Sequence, residues 1–132
     1  MVDHHRLFRG RPRRPRAAWY KLAATQYRRA LAIDSKAADA VYNLGHLYMD
    51  YLNDNGRAGD WYARYLGMPK RQTSPGGRKH AQEQLAEIAY QDGIYCKMIQ
   101  DKAKQAACRS KAAARQARWK AIRAGTKRPS DS

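Results

Sequence analysis

The stretch Ala38-Asp39-Ala40-Val41-Tyr42-Asn43-Leu44-Gly45-His46-Leu47-Tyr48 decides the fold. Val41, Leu44, Gly45 and Tyr48 recur at spacings of one, three and four, which places them on one face of an α-helix. A glycine inside such a stripe costs the isolated helix stability, so its use is spatial. Without a Cβ it lets a second helix approach closely, while Leu44 and Tyr48 fill the groove beside it.

The same period extends to both sides. From about Arg16 to Ile33, Trp19, Ala23, Tyr27, Ala30 and Leu31 share a face, and Asp34-Ser35 closes the segment. The quoted helix spans about Ala37 to Leu52 and ends at the turn signal Asn53-Asp54-Asn55-Gly56. Ala58, Trp61, Tyr62, Tyr65 and Leu66 stripe the next segment, Arg57 to Met68, which Pro69 ends. Residues 70–77, with Ser74-Pro75-Gly76-Gly77, read as a loop. A fourth helix follows from Arg78 to Gln91, with Ala81, Leu85, Ile88 and Ala89 inward. Asp92-Gly93 reads as a break or kink, and a long last helix runs from Ile94 to Ala124, with Gly125 as its cap and Pro129 beyond. No β-alternation occurs. The expected fold is all-α: antiparallel helical hairpins of about two repeats over residues 17–91, flanked by an extended basic arm (1–16), a long basic helix (92–125) and a disordered tail (126–132).

The pattern x3-Val-x2-Leu-Gly-x2-Tyr resembles the first helix of a tetratricopeptide repeat, with Val41 where that family often has Trp. Ala23-x3-Tyr27-x2-Ala30-Leu31-x-Ile33-Asp34 is similar to the second helix of a preceding repeat, with Ser35 in place of the usual closing Pro. Ala58-x3-Tyr62-x2-Tyr65-Leu66, closed by Pro69, resembles the second helix of the central repeat. The pairs Trp19-Tyr20 and Trp61-Tyr62 are also similar to Sel1-like repeats, a variant of the same architecture. These residues specify packing and not function. The resemblance implies a concave protein-docking face lined by Tyr42, Asn43, His46 and Met49, beside Asp39 and Asp50. Family members that clamp a terminal carboxylate place Lys four residues before Asn. Asp39 stands there before Asn43, and an acid repels that ligand.

The 132 residues carry a formal net charge of +16. Residues 1–29 hold nine basic groups and one acid, residues 30–95 seven and eight, and residues 96–132 eleven and two. A neutral centre thus lies between two cationic ends, whose self-repulsion a polyanion relieves. RNA or DNA is the first candidate partner and an anionic membrane surface the second. Solvated tails are the structural alternative.

The candidate phosphate contacts are Arg9, Arg11, Arg13, Arg14 and Arg16 in the proline-interrupted arm, and Lys97, Lys104, Lys111, Arg115, Arg118, Lys120 and Arg123 on the last helix. Between its cationic sides that helix has a charge-free face of Ile99, Ala103, Ala106, Ala113, Ala114, Ala117, Ala121 and Ala124. Trp119, between Arg118 and Lys120, is placed either to stack on a base or to pack on a protein helix. The Arg-rich, acid-poor arm also fits a mitochondrial targeting segment, although Asp3 and the lack of Ser count against it.

Cys96 and Cys108, twelve residues apart on one continuous helix, would lie roughly 18 Å apart. A disulfide spans at most about 7 Å between Cα atoms. Reduced thiols in the cytoplasm or mitochondrion are therefore expected. The cysteine and histidine spacings of a metal site are absent, as is any convergent acid, base and nucleophile. No run of apolar residues reaches membrane-span length. The sequence points to a non-catalytic scaffold without cofactor or small-molecule substrate. Its first reading is a structural subunit of a ribonucleoprotein, a cytoplasmic or mitochondrial ribosome foremost, touching rRNA and neighbouring proteins. The alternative is a protein–protein adaptor in a bacterial secretion, motility or envelope complex.

Overall fold

A computed structural model describes residues 16–125. The order is α1 (Arg16–Ile33), α2 (Ala38–Asp50), α3 (Asn55–Gly67), a single 3-10 turn (Lys70–Gln72), α4 (Pro75–Met98) and α5 (Lys102–Arg123), with no strand among the described residues. Short connections stack neighbouring helices as antiparallel hairpins. Helix α3 is the hub and packs on α2, α4 and α5.

The centre follows from the quoted stripe. Val41, Leu44 and Leu47 of α2 and Ala58, Trp61 and Tyr62 of α3 are all buried, joined by Tyr20, Ala23, Tyr27 and Leu31 of α1. Gly45 does what its place in the stripe requires: a Cβ there would sit 2.8 Å from the Tyr62 ring. The Asn53–Gly56 signal also holds. Asn53 takes a left-handed φ of 52°, and the Asp54 carboxylate caps α3 by accepting from the Arg57 amide at 3.0 Å.

The C-terminal half departs from expectation in four ways. Helix α4 begins at Pro75 rather than Arg78, because Ser74 is an N-cap whose hydroxyl accepts from the Gly77 amide at 2.9 Å, with Pro75 in the first turn. It then runs through Asp92-Gly93 without a break. A lone glycine costs a helix only about 1 kcal/mol, and Asp92 serves instead as acceptor for Arg115 of α5.

The third departure is that no helix spans 94–124. The chain turns at Ile99-Gln100-Asp101, where Ile99 is extended and Asp101 caps α5 by accepting from the Lys104 amide at 2.9 Å. The Gln105 amide donates to the carbonyl of Ile99 at 3.3 Å and closes the turn. The fold-back is driven by burial: Trp119 and Ile122 meet Ala63 and Ile88 in a second apolar cluster. The fourth departure follows from the third. Cys96 and Cys108, brought face to face, form a disulfide with Cα atoms 5.5 Å apart. The expected reduced thiols rested on a straight helix that does not exist.

Of the expected domain pieces, residues 1–15 of the arm and residues 126–132 of the tail lie outside the described residues. Arg16 opens α1. Gly125, at φ +79°, donates to the Ile122 carbonyl past the end of α5, as a C-terminal cap does.

Candidate interaction surfaces

Tyr42, His46 and Met49 lie on the α2 face that the sequence assigns to docking, and all three are partly buried. The Tyr42 hydroxyl is 2.6 Å from Nδ1 of His80, which reaches over from α4. Its ring stands edge-on to those of Tyr62 and Tyr65. Burial raises the Tyr42 phenol above its usual range and raises that of Tyr62 further. His46 pairs with Asp50 at 2.7 Å. Asn43 is not on the face: its residue is 2% exposed, among core side chains. A position expected to meet a partner is therefore interior.

The candidate phosphate contacts divide sharply. Arg118 and Trp119 turn inward onto Asp60 of α3, which is 4% exposed. The Arg118 guanidinium donates to both carboxylate oxygens, at 3.0 and 2.9 Å, and the Trp119 indole N–H donates to one of them at 3.0 Å. Three donors on one buried carboxylate compensate its desolvation. The hydrogen bonds to Asp60 raise the Arg118 pKa further above neutrality. The Trp119 ring lies against the backbone of Gly59, where any Cβ would collide with it. Trp119 is thus a core residue and not a base-stacking platform. Arg115 also turns inward and donates to Asp92 at 3.2 Å. Both arginines are thus held in ion pairs within the molecule, each side chain about a third exposed.

The others remain outside. Lys97 at the end of α4 and Lys104, Lys111, Lys120 and Arg123 on α5 are exposed, as are Lys102, Arg109 and Arg16. Arg9, Arg11, Arg13 and Arg14 lie outside the described residues. Helix α5 contains no acid along its whole length. Its Ala103, Ala106, Ala113, Ala114, Ala117 and Ala124 are exposed, so the alanine face points away from the body and only its rim, at Ala121, is partly covered.

An open cleft of about 540 Å³ between α3 and α5 is floored by Asp60 and Trp119 and walled by Arg57, Arg115 and Arg118. All three arginines face an acid: Arg57 pairs with Asp54 at 2.6 Å, and the other two pair as described. The cleft is therefore charge-matched, whereas the outer side of α5 is not. Among the described residues no three His, Cys, Asp or Glu side chains are grouped to hold a metal ion, and no helix is long and apolar enough to cross a membrane.

Stacked antiparallel hairpins, a glycine under an aromatic ring and an aromatic-rich centre define an α-helical repeat protein. Residues 20–50, which cover most of α1 and all of α2, match the family model described as TPR repeat. That segment is thus similar to a tetratricopeptide repeat, and the all-helical hairpins around it are consistent with the same architecture. No curated protein and no solved structure matches it. Sequence reasoning missed the functional use of Asp60. Its only signal was an acid at a position of α3 that the helical period turns inward.

Proposed function

We propose that this chain is a non-catalytic scaffold subunit that docks on protein through its helical-repeat body and on a polyanion through the outer side of α5. The observation that carries the reading is the sorting of charge on that helix. Arg115 and Arg118 are spent on Asp92 and Asp60. Lys102, Lys104, Arg109, Lys111, Lys120 and Arg123 stay exposed on a helix without acids. A 22-residue helix extends roughly 33 Å, enough to lie along several phosphates. RNA of a large ribonucleoprotein, rRNA foremost, is the polyanion favoured by this chemistry, in cytoplasm or mitochondrion. The contacts position the subunit without reading base sequence.

Binding of a labelled structured RNA is measured against salt. Each neutralised phosphate contributes a slope of roughly −0.7 to −0.9 in log K against log salt. Replacing Lys104, Lys111, Lys120 and Arg123 by Glu lowers the slope by about 3 on that scale. Affinity that ignores salt, or is equal in the fourfold variant, overturns the reading.

The disulfide favours a second reading. Such bonds persist in oxidising compartments, which suits the adaptor of a bacterial secretion or envelope complex, its cations meeting acidic protein or lipid. Alkylation and mass analysis of chain isolated from its native cell separate the two: a bonded Cys96–Cys108 favours the adaptor, free thiols the ribonucleoprotein.

A further inference from the structure

Repeat arrays end in a hairpin whose outer face is polar, because no further repeat covers it. The last described hairpin, α4 with α5, does not end that way. Tyr90, Ile94 and Met98 stand 57%, 45% and 75% exposed, in line at i, i+4 and i+8. Tyr95 flanks them at 66%. Ala81, Ile88 and Cys96, on the opposite side of α4, are the residues that face the interior. The stripe is therefore a second apolar face and not a misplaced piece of the core. Contiguous exposed apolar area of this kind marks an interaction site.

We infer that the outer stripe of α4 docks an acidic amphipathic helix of a partner protein. Tyrosine, isoleucine and methionine offer nothing to a phosphate and a large contact area to apolar side chains at helical spacing. A second copy of the chain is disfavoured by the net charge of +16 that each molecule carries. The charge around the stripe selects the partner. Lys97 shares its face, and Lys102 follows just across the turn. Both are exposed. Glu83 and Glu87 border the stripe only at its N-terminal end. A partner helix with a leucine-type stripe therefore sets its acids toward the Met98 end. This goes beyond the polyanion reading. It shares with the proposed function only the premise that the body meets protein.

The full chain, disulfide intact, is titrated by fluorescence anisotropy with a labelled 18-residue peptide. The peptide carries Leu at helical i, i+3, i+4, i+7 positions and Glu on both flanks of one half only, to meet the Met98 end. A control peptide has the same composition in scrambled order. The ordered peptide is expected to bind at least tenfold more tightly than the control. Tyr90→Ser, Ile94→Ser and Met98→Ser combined remove that advantage, while the helical circular dichroism and the RNA affinity stay as in the parent. Lys97→Glu with Lys102→Glu weakens the ordered peptide at least fivefold. Equal binding of the two peptides, or an unchanged advantage in the triple-serine variant, overturns the proposal. So does a dimer of the free chain in sedimentation that the triple-serine variant dissolves, because the stripe then serves a second copy. Loss of RNA binding in the fourfold charge variant tests only the polyanion reading and leaves this one standing.

Discussion

The α2–α3 hairpin and the α4–α5 hairpin have the same architecture and different adhesives. In the first, Val41, Leu44, Leu47, Trp61 and Tyr62 form an apolar centre in which Gly45 brings the helices together. In the second, the shared core is thin: Ile88, Trp119 and Ile122, reaching Ala63 of α3. The deficit is met by one ion pair with an added indole donor at Asp60, a second ion pair at Asp92 and a covalent link near the turn. A hairpin rich in alanine and lysine can still be positioned, provided that a few directional contacts replace apolar area.

The contrast breaks most readily at Trp119. Trp119→Ala is expected to cost about 3–5 kcal/mol, as for other large-to-small core changes. Hydrogen exchange then accelerates along α5 first, while α2 and α3 keep their protection. Uniform acceleration across all helices would show that the two hairpins share one core after all. Cys96→Ser with Cys108→Ser comes next. Releasing a loop of this length costs about 3 kcal/mol on the chain-entropy estimate, read as a lower denaturation midpoint with the loss confined to α4 and α5.

Alkali attacks the other hairpin and the helix before it. Burial raises the Tyr27 phenol from 10 to about 12 and that of Tyr62 higher still. In the folded chain these groups hold their protons where the unfolded chain has released them. Their contribution is complete below pH 10 and is lost as pH rises toward the folded values. Ultraviolet titration near 295 nm is expected to show Tyr27 and Tyr62 ionising only as the helices melt. Gly45→Ala has the smallest effect, about 1–2 kcal/mol of overpacking against Tyr62. Calorimetry would read it as a lower Tm with α5 protection unchanged.

What the sequence made legible follows the same division. The repeat core was readable because each of its residues advertises its role by period: Val41, Leu44 and Tyr48 line up, and Gly45 has no other reason to be there. Helix α5 was misread because its decisive contacts are long-range. Asp101 carries no glycine or proline beside it to announce a turn, and its capping role becomes visible only once Trp119 has a place to go. A run of lysine, arginine and alanine has nearly the same period on every side. The inward turn of Arg115 and Arg118 is set by Asp92 and Asp60, 23 and 58 residues away. For the same reason the thiols seemed too far apart: the distance was reckoned along a rod, and the chain is a clasped pair of rods.

One close approach at the far end of that pair has a practical side. The backbone of Arg123 passes so near Gly67 that a side chain there would meet its carbonyl at 2.6 Å. The exit of α5 is thereby pinned to the corner where α3 gives way to the 3-10 turn, a full helix length of roughly 33 Å from its own start. A fluorophore, affinity handle or fused module attached behind Gly125 is delivered to that corner. It leaves the aromatic outer ridge of the preceding helix unobstructed, so tethering the chain to a sensor surface from this end presents the ridge to solution.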